Sequence, residues 1–462
     1  MLLAATRTGC SIFIPRHPDA FPLTVAVSLP DPLYSPPMLP IKIDKYIASR
    51  GVRGQWRLSG CEEGGFSGAV VIPALAESAH LPATLRSLAA NPVRELSRFL
   101  IVVVVNNRED ARPADKEDNR ATLEMLAGEH LSYGDLRLAW VDASSRGLEL
   151  PAGKGGVGLA RKIGFDLALP RLYYSGVAPI LVALDGDTLV QPDYLTAISS
   201  HFGASRAGGA VIPFRHQRGS TAAEMNAILC YELFLRAYVL GLSLAGSPYA
   251  FHTVGSAMAC TAPAYADMGG MNTRTAAEDF YFLQHLKKTS GVEEVSGTIV
   301  LPSARPSHRV PFGTGRSVSR LLDGDKATTL YYHPECFSIL GHWLSLVESC
   351  TETRGVDIRS MAEGISPHLG TYLDGARFSE SWDKLRRNNS RDEKALLASF
   401  HCWFDALRTL KLIHHLSDGP LLRGTAEDNI PTLLASAGLA PLKDPDSQLE
   451  LLRLAQAGDS GL

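Results

Sequence analysis

Between residues 69 and 190, short apolar runs rich in β-branched residues alternate with helix-patterned segments, and each run stops at polar residues. Ala69-Val70-Val71-Ile72 reads as a first buried strand, ending at Pro73. The following segment, 78–90, opens on a capping-type serine and spaces Leu81, Leu85 and Leu88 as a helix does. Further strands are predicted at 99–105 and 136–141, a helix at 157–169, and a fourth strand from Ile180. Strands apolar on both faces, separated by helices, bury themselves only in a mainly parallel sheet covered by helices. The fold class that follows is α/β.

The remainder fits around that core. A strand is predicted at 208–213, a long helix at 222–244, a small-residue strand at 255–260 and a helix at 275–288, with short strands at 292–295 and 298–301. From about residue 331 the pattern is helical, with Trp343, Leu344 and Val347 and then Leu396, Leu397, Phe400, Trp403 and Leu407 as its apolar positions. The first 65 residues hold many prolines and little periodicity, so they read as a loosely ordered leader with one short helix near 43–49. The expected organisation is therefore a leader over 1–65, an α/β domain over 66–325 and a helical accessory region over 326–462.

Composition excludes several classes. A net charge of -3 gives no basic footprint for nucleic acid. Seven scattered cysteines without a C-x-x-C pair suit a reducing, cytoplasmic compartment, free or peripheral at a membrane. The most apolar long stretch, 227–249, carries Glu232 and Arg236 near its middle, and both would be costly in a bilayer. No integral membrane segment and no signal peptide are expected.

The fourth strand breaks into Asp185-Gly186-Asp187, a D-x-D motif. In an extended segment, residues i and i+2 point to one side, so both carboxylates can face one cation. A divalent metal carrying a diphosphate would relieve their repulsion. The plain alternative is a surface Asp-Gly turn. The glycine-rich loop 153–161 suggests phosphate binding, but Leu159 and Ala160 stand where a P-loop needs Lys and Ser/Thr.

Five segments taken in order resemble family 2 glycosyltransferases, which have the GT-A fold. They are VVIPALAES with Pro73, Ala74 and Glu77; VVVVNNRED ending at Asp110; Gly158-Leu159-Ala160-Arg161-Lys162-Ile163-Gly164; Asp185-Gly186-Asp187; and Gly269-Gly270-Met271-Asn272 followed by Glu278-Asp279. The resemblance covers less than half the chain. It implies inverting, metal-dependent transfer of a sugar from a UDP- or GDP-linked donor to a hydroxyl acceptor. Pro73, Ala74, Glu77 and Asn106 would line the nucleoside, and Arg161 would face the nucleotide. Asp187 would bind Mn2+ or Mg2+, with Asp185 on the ribose or also on the metal. Asp279 would act as the base, with Glu278 and Gly270 toward the acceptor.

Beyond the matched region, Arg305 and Arg309 could close over the diphosphate, and His308 could complete the metal shell. Ala76 stands where the family has Asn, and the second-strand acid falls on Val105 or Asn106. No Q-x-x-R-W motif follows, which argues against a processive synthase. Two rivals stand beside this reading. One is a sugar-phosphate nucleotidyltransferase, which shares the metal-diphosphate logic. The other is a non-catalytic protein that keeps the fold for binding.

Overall fold

The computed structural model describes residues 39–128, 133–153, 155–307, 313–325, 330–389 and 392–456. Within them the strands are β1 (Ser59–Gly60), β2 (Gly68–Ala74), β3 (Phe99–Asn106), β4 (Arg137–Ala143) and β5 (Ile180–Ala183). They continue as β6 (Leu189–Val190), β7 (Gly209–Val211), β8 (Met258–Thr261), β9 (Val292–Glu294) and β10 (Val300–Leu301). The main sheet has the order β1-β4-β3-β2-β5-β8-β7-β9. β4, β3, β2 and β5 are parallel neighbours, whereas β8 runs antiparallel to β5 and β7.

Every residue of β2 and β3 is buried. Their alternate side chains feed two cores: Val71, Leu100, Val102 and Val104 face one layer of helices, and Val70, Ile72, Ile101 and Val103 face the other. The first layer is α1 (Ile41–Arg50), α5 (Val157–Ala168), α8 (Ala262–Asp267) and α9 (Glu278–Thr289). The opposite layer includes α2 (Leu81–Ala89), α3 (Val93–Leu96), α4 (Pro113–Ala127) and α6 (Tyr194–Ala204). At roughly 1.5–3 kcal/mol per fully buried aliphatic side chain, these two cores dominate the driving force.

α7 (Ala222–Leu244) leaves this sandwich and packs against α10 (Thr314–Leu322), α11 (Pro334–Ser349), α17 (Ala426–Ser436) and α18 (Pro445–Ala455). Between α11 and α17 come α12 (Gly355–Ile365), α13 (Pro367–Gly375), α14 (Phe378–Asn388), α15 (Glu393–Trp403) and α16 (Ala406–Ser417). Their core centres on Trp343, Phe378, Trp382, Phe400 and Leu412, and α7 contributes Leu233, Ala237 and Leu240 to it. By length and composition α7 is apolar enough to cross a membrane. Here, however, Glu232 at its middle is wholly buried and ion-paired with Arg236 and Arg453.

The mixed, mainly parallel sheet with flanking helices and a helical C-terminal region agrees with the sequence-based expectation. Local structure adds detail to that outline. The run 180–190 is not one strand: β5 stops at Ala183, Thr188 N–H bonds back to Asp185 C=O at 3.1 Å, and β6 follows only after that turn. Helices α6 and α8 were not anticipated. The short helix expected near 43–49 is α1, whose Ile43 and Tyr46 are buried.

Candidate active site

β2 lies between β3 and β5, so the chain winds outward on one side through β3 and β4 and then returns to the other side at β5. Beyond the carboxyl ends of such strands, open α/β sheets form their ligand crevice. Pro73 and Ala74 end β2 beside Val104 and Val105, and Asn106 lies one residue further along β3. Asn119 of α4 stitches these ends together. Its side chain accepts from Ala76 N–H at 2.9 Å and donates to Asn106 C=O at 3.0 Å and to Asn107 Oδ1 at 2.8 Å. Ala76 itself is left-handed, with φ 53°, which turns the chain so that Glu77 comes back under the strand ends. Asn106 Oδ1 is buried and makes no hydrogen bond among the described residues, leaving an acceptor at the strand end.

The second component grows from the start of α5. A Cβ on Gly158 would stand 2.7 Å from Asn272 C=O and 2.6 Å from Arg274 C=O, so only glycine lets this turn meet the 272–278 loop. Gly164, two turns on, does the same against Val71 and Val104 of the sheet. Between them Arg161, 2% exposed, carries a guanidinium that donates through Nη2 to Asp185 at 2.5 Å and through Nη1 to Glu278. Burial works against its charge, but the carboxylates of Asp185, Glu278 and Asp279 hold it protonated. Gly255 makes room for it: a Cβ there would lie 2.6 Å from Arg161 Nη2.

Asp279 sits in the first turn of α9, entered through left-handed Ala277 at φ 57°. Its carboxyl is pushed up to about 7 by burial, then by the Glu278 charge, while Arg161 pulls the other way. One oxygen accepts from Phe280 N–H at 2.8 Å. Tyr231 of α7 feels the same carboxylate; burial first, and then Asp279, push its hydroxyl up to about 12, against hydrogen bonds with Thr314 and Ser317 of α10. Tyr231 and Asn119 border the site and were not singled out from the sequence, since neither lies in a motif.

The third component is the turn after β5. β6 pairs with β10, which draws the segment after Leu301 toward Asp187. Gln217 fixes the junction by donating to Asp187 C=O at 3.0 Å and to Leu301 C=O at 2.7 Å. Arg305 then donates through Nε to Asp187 Oδ2 at 2.8 Å and through Nη2 to both oxygens of buried Glu77 at 2.6 Å. Gly186 lets the turn close on Glu77, whose Cγ would be 3.0 Å from a Cβ. The expectation that Asp185 and Asp187 share one side of an extended strand is thus corrected. The turn separates them, and each carboxylate faces a different arginine, Arg161 for one and Arg305 for the other.

Arg161, Asp185, Glu278 and Asp279 are therefore brought together, as are Glu77, Asp187 and Arg305, with Pro73, Ala74 and Asn106 at the adjoining strand ends. Arg309 and His308 lie outside the described residues. Gly270 has φ 82°, and a Cβ there would stand 1.9 Å from Tyr46 Oη. That hydroxyl is bonded to Asp166 at 2.8 Å and to Lys162 at 2.6 Å, so Gly270 is packed against α1. Glu278 is buried against Arg161.

The donor set fits a divalent cation of the kind the resemblance implies. Hard carboxylate oxygens are its ligands, and Mg2+ is commonly held by one or two carboxylates plus substrate phosphates rather than by a protein cage. Among the described residues no three His, Cys, Asp or Glu side chains form such a cage. Five carboxylates, Glu77, Asp185, Asp187, Glu278 and Asp279, gather there, with Arg161 and Arg305 paired among them. A diphosphate entering that field needs added positive charge.

No protein-family model matches the chain, and no curated protein does. Solved structures similar to it include TarS residues 1–349 from S. aureus in complex with UDP-GlcNAc. The identity is 14%, the TM-score 0.34, and 86% of this chain and 93% of that one are covered. Another is the mannosyltransferase PcManGT from Pyrobaculum calidifontis in complex with GDP-Man and Mn2+, at 13% identity and a TM-score of 0.34, covering 79% of this chain and 93% of that one. Likenesses this distant carry no weight for the site or its reaction.

Proposed function

We propose that this chain is a glycosyltransferase that moves a sugar from a nucleoside-diphosphate donor to a hydroxyl acceptor with inversion, within a catalytic domain running from about residue 66 to 325. The observation that carries the reading is the meeting of Asp185, Glu278 and Asp279 around one buried guanidinium, Arg161, at the sheet's switch point. Three segments far apart in sequence contribute, as the resemblance implies they should.

In this reading Asn106 Oδ1 accepts from the nucleobase, and Asp185 is turned toward the ribose by Arg161. Asp187, with Glu77 near it, would hold Mn2+ or Mg2+, which when bound supplies Lewis-acid stabilisation to the departing diphosphate. Asp279 takes the acceptor's hydroxyl proton as that oxygen bonds to the anomeric carbon. The bond from that carbon to the diphosphate oxygen breaks, and the electron pair leaves with the nucleotide. A carboxyl near neutrality is matched to this task, and a positioned base is worth roughly 10²–10⁴ in rate. Arg161 is a positioning residue that ties base and donor ends together.

The test is thermal denaturation with UDP-, GDP- and dTDP-linked sugars, with and without Mn2+. One donor should raise the melting temperature by several degrees, an effect lost in Asp187→Ala and kept in Asp279→Asn. Absence of stabilisation by every donor would count against the proposal.

A further inference from the structure

Resting on that reading, we infer that His216 is a positioning residue for Arg305. Braced by Glu232, it clamps Thr314, and through the first turn of α10 it holds the segment that carries Arg305 beside the Asp187 turn. The run Gly313-Thr314-Gly315 makes the connection. Gly313 enters α10 at φ 98°, a backbone that favours glycine. Gly315 lies so close to Ser307 that a Cβ on it would stand 2.4 Å from the serine Cβ, and its C=O accepts from Ser307 N–H at 3.0 Å. Ser307 is two residues beyond Arg305, whose guanidinium reaches Asp187 and Glu77. Thr314, between the two glycines, has its Oγ1 3.2 Å from His216 Nε2.

Chemistry fixes the direction of the clamp. Glu232 accepts from Arg236 Nε at 2.9 Å and from Arg453 Nε and Nη2 at 2.7 and 2.9 Å, and His216 Nδ1 lies 2.9 Å from its Oε2. A carboxylate paired in this way only accepts, so Nδ1 carries the ring proton. Nε2 of the neutral ring is then the acceptor, and the Thr314 hydroxyl donates to it. The imidazole is 1% exposed, which keeps bulk water from competing for that bond. His216 is itself fixed against the donor side. Arg215 N–H donates to Val300 C=O and Gln217 N–H to Pro302 C=O, both at 2.9 Å, while the Gln217 side chain binds Asp187 C=O. Arg305 is thus held along the chain from two directions, from β10 through Pro302 and from α10 through Ser307. Removing one hydroxyl, that of Thr314, weakens the second hold and leaves the first intact.

Hydrogen exchange of the Ser307 amide in the full chain reads the clamp directly, without nucleotide. Thr314→Val should speed that exchange by about tenfold, and Thr314→Ser, which restores the hydroxyl, should stay near wild type. In calorimetry with saturating Mn2+, UDP or GDP should bind about fivefold more weakly to Thr314→Val and recover in Thr314→Ser. In an Arg305→Ala background the valine change should cost nothing further, because it acts through that guanidinium. Unchanged Ser307 exchange, unchanged affinity for a nucleotide that the wild type binds, a serine variant as impaired as the valine one, or additive losses with Arg305→Ala would each overturn the clamp. Thr314→Ala takes the place of Thr314→Val if melting shows the latter unfolded. If the exchange responds as expected but the wild type binds neither UDP nor GDP, the clamp stands and the glycosyl-transfer reading fails instead.

Discussion

At the scale of single residues, the proposed chemistry turns on Asp279 and Arg161. A carboxyl pushed up to about 7 in the folded protein, against an ordinary 3.8, holds its proton through the mildly acidic range. The native state then binds more protons than the unfolded one, so this group makes stability fall as pH rises from about 4 to about 7. Asp279→Asn should therefore be more stable than wild type at pH 8, with the advantage vanishing near pH 3, in parallel denaturant titrations. Activity runs the other way, because only the ionised carboxylate takes a proton. The rate should climb with pH through about 7, and Glu278→Gln should move that limb to lower pH by removing the neighbouring charge. A limb that stays put would show that Glu278 does not set the base. The glycines of 158–164 were legible as a motif but not as geometry: only the fold shows Gly158 beneath Asn272 and Gly164 against Val71.

At the scale of elements, α7 decides how the helical region meets the sheet. Glu232 accepts from Arg236 Nε at 2.9 Å, Arg453 Nε at 2.7 Å and His216 N–H at 2.9 Å. Three segments, α7, the loop after β7 and α18, are joined through this one wholly buried carboxylate. Burial alone would raise its pKa, but the His216 and Arg453 hydrogen bonds hold it well below the ordinary range. A depressed carboxyl contributes stability above its unfolded value near 4.5 and loses it as pH falls below. Glu232→Ala, which takes the shared carboxylate from Arg236 and Arg453, should cost roughly 3–5 kcal/mol of unfolding free energy in denaturant titrations at pH 7. Glu232→Gln should weaken the acid-side fall in stability, and an unchanged acid limb would contradict the assignment. None of this network was legible beforehand, because Arg453 is more than two hundred positions from Glu232. The strands were readable because β2 and β3 are apolar throughout, whereas β6 and β10 are two residues each and owe their existence to their pairing.

Across the whole molecule, the site is assembled by topology. Glu77 follows β2, Asp185 and Asp187 follow β5, Glu278 and Asp279 begin α9, and Arg305 lies beyond β10, yet they meet at one edge of the parallel strands. The order of the motifs along the chain foretold their company, since each falls at the end of a strand or the start of a helix facing the switch point. It did not foretell which cation each carboxylate would face, because i and i+2 diverge once a strand gives way to a turn. Nor did it foretell α1 closing under Gly270 through Tyr46, a contact that packs α1 against the 269–272 turn. The reading of the molecule as a glycosyl carrier rests on what leaves the donor. Incubated with Mn2+, an acceptor mixture and UDP- or GDP-linked sugars, the protein should release nucleoside diphosphate with one donor, and Asp279→Asn should lower that rate by roughly 10²–10⁴. Release of pyrophosphate from a nucleoside triphosphate and a sugar phosphate, or nucleoside diphosphate release untouched by Asp279→Asn, would contradict it.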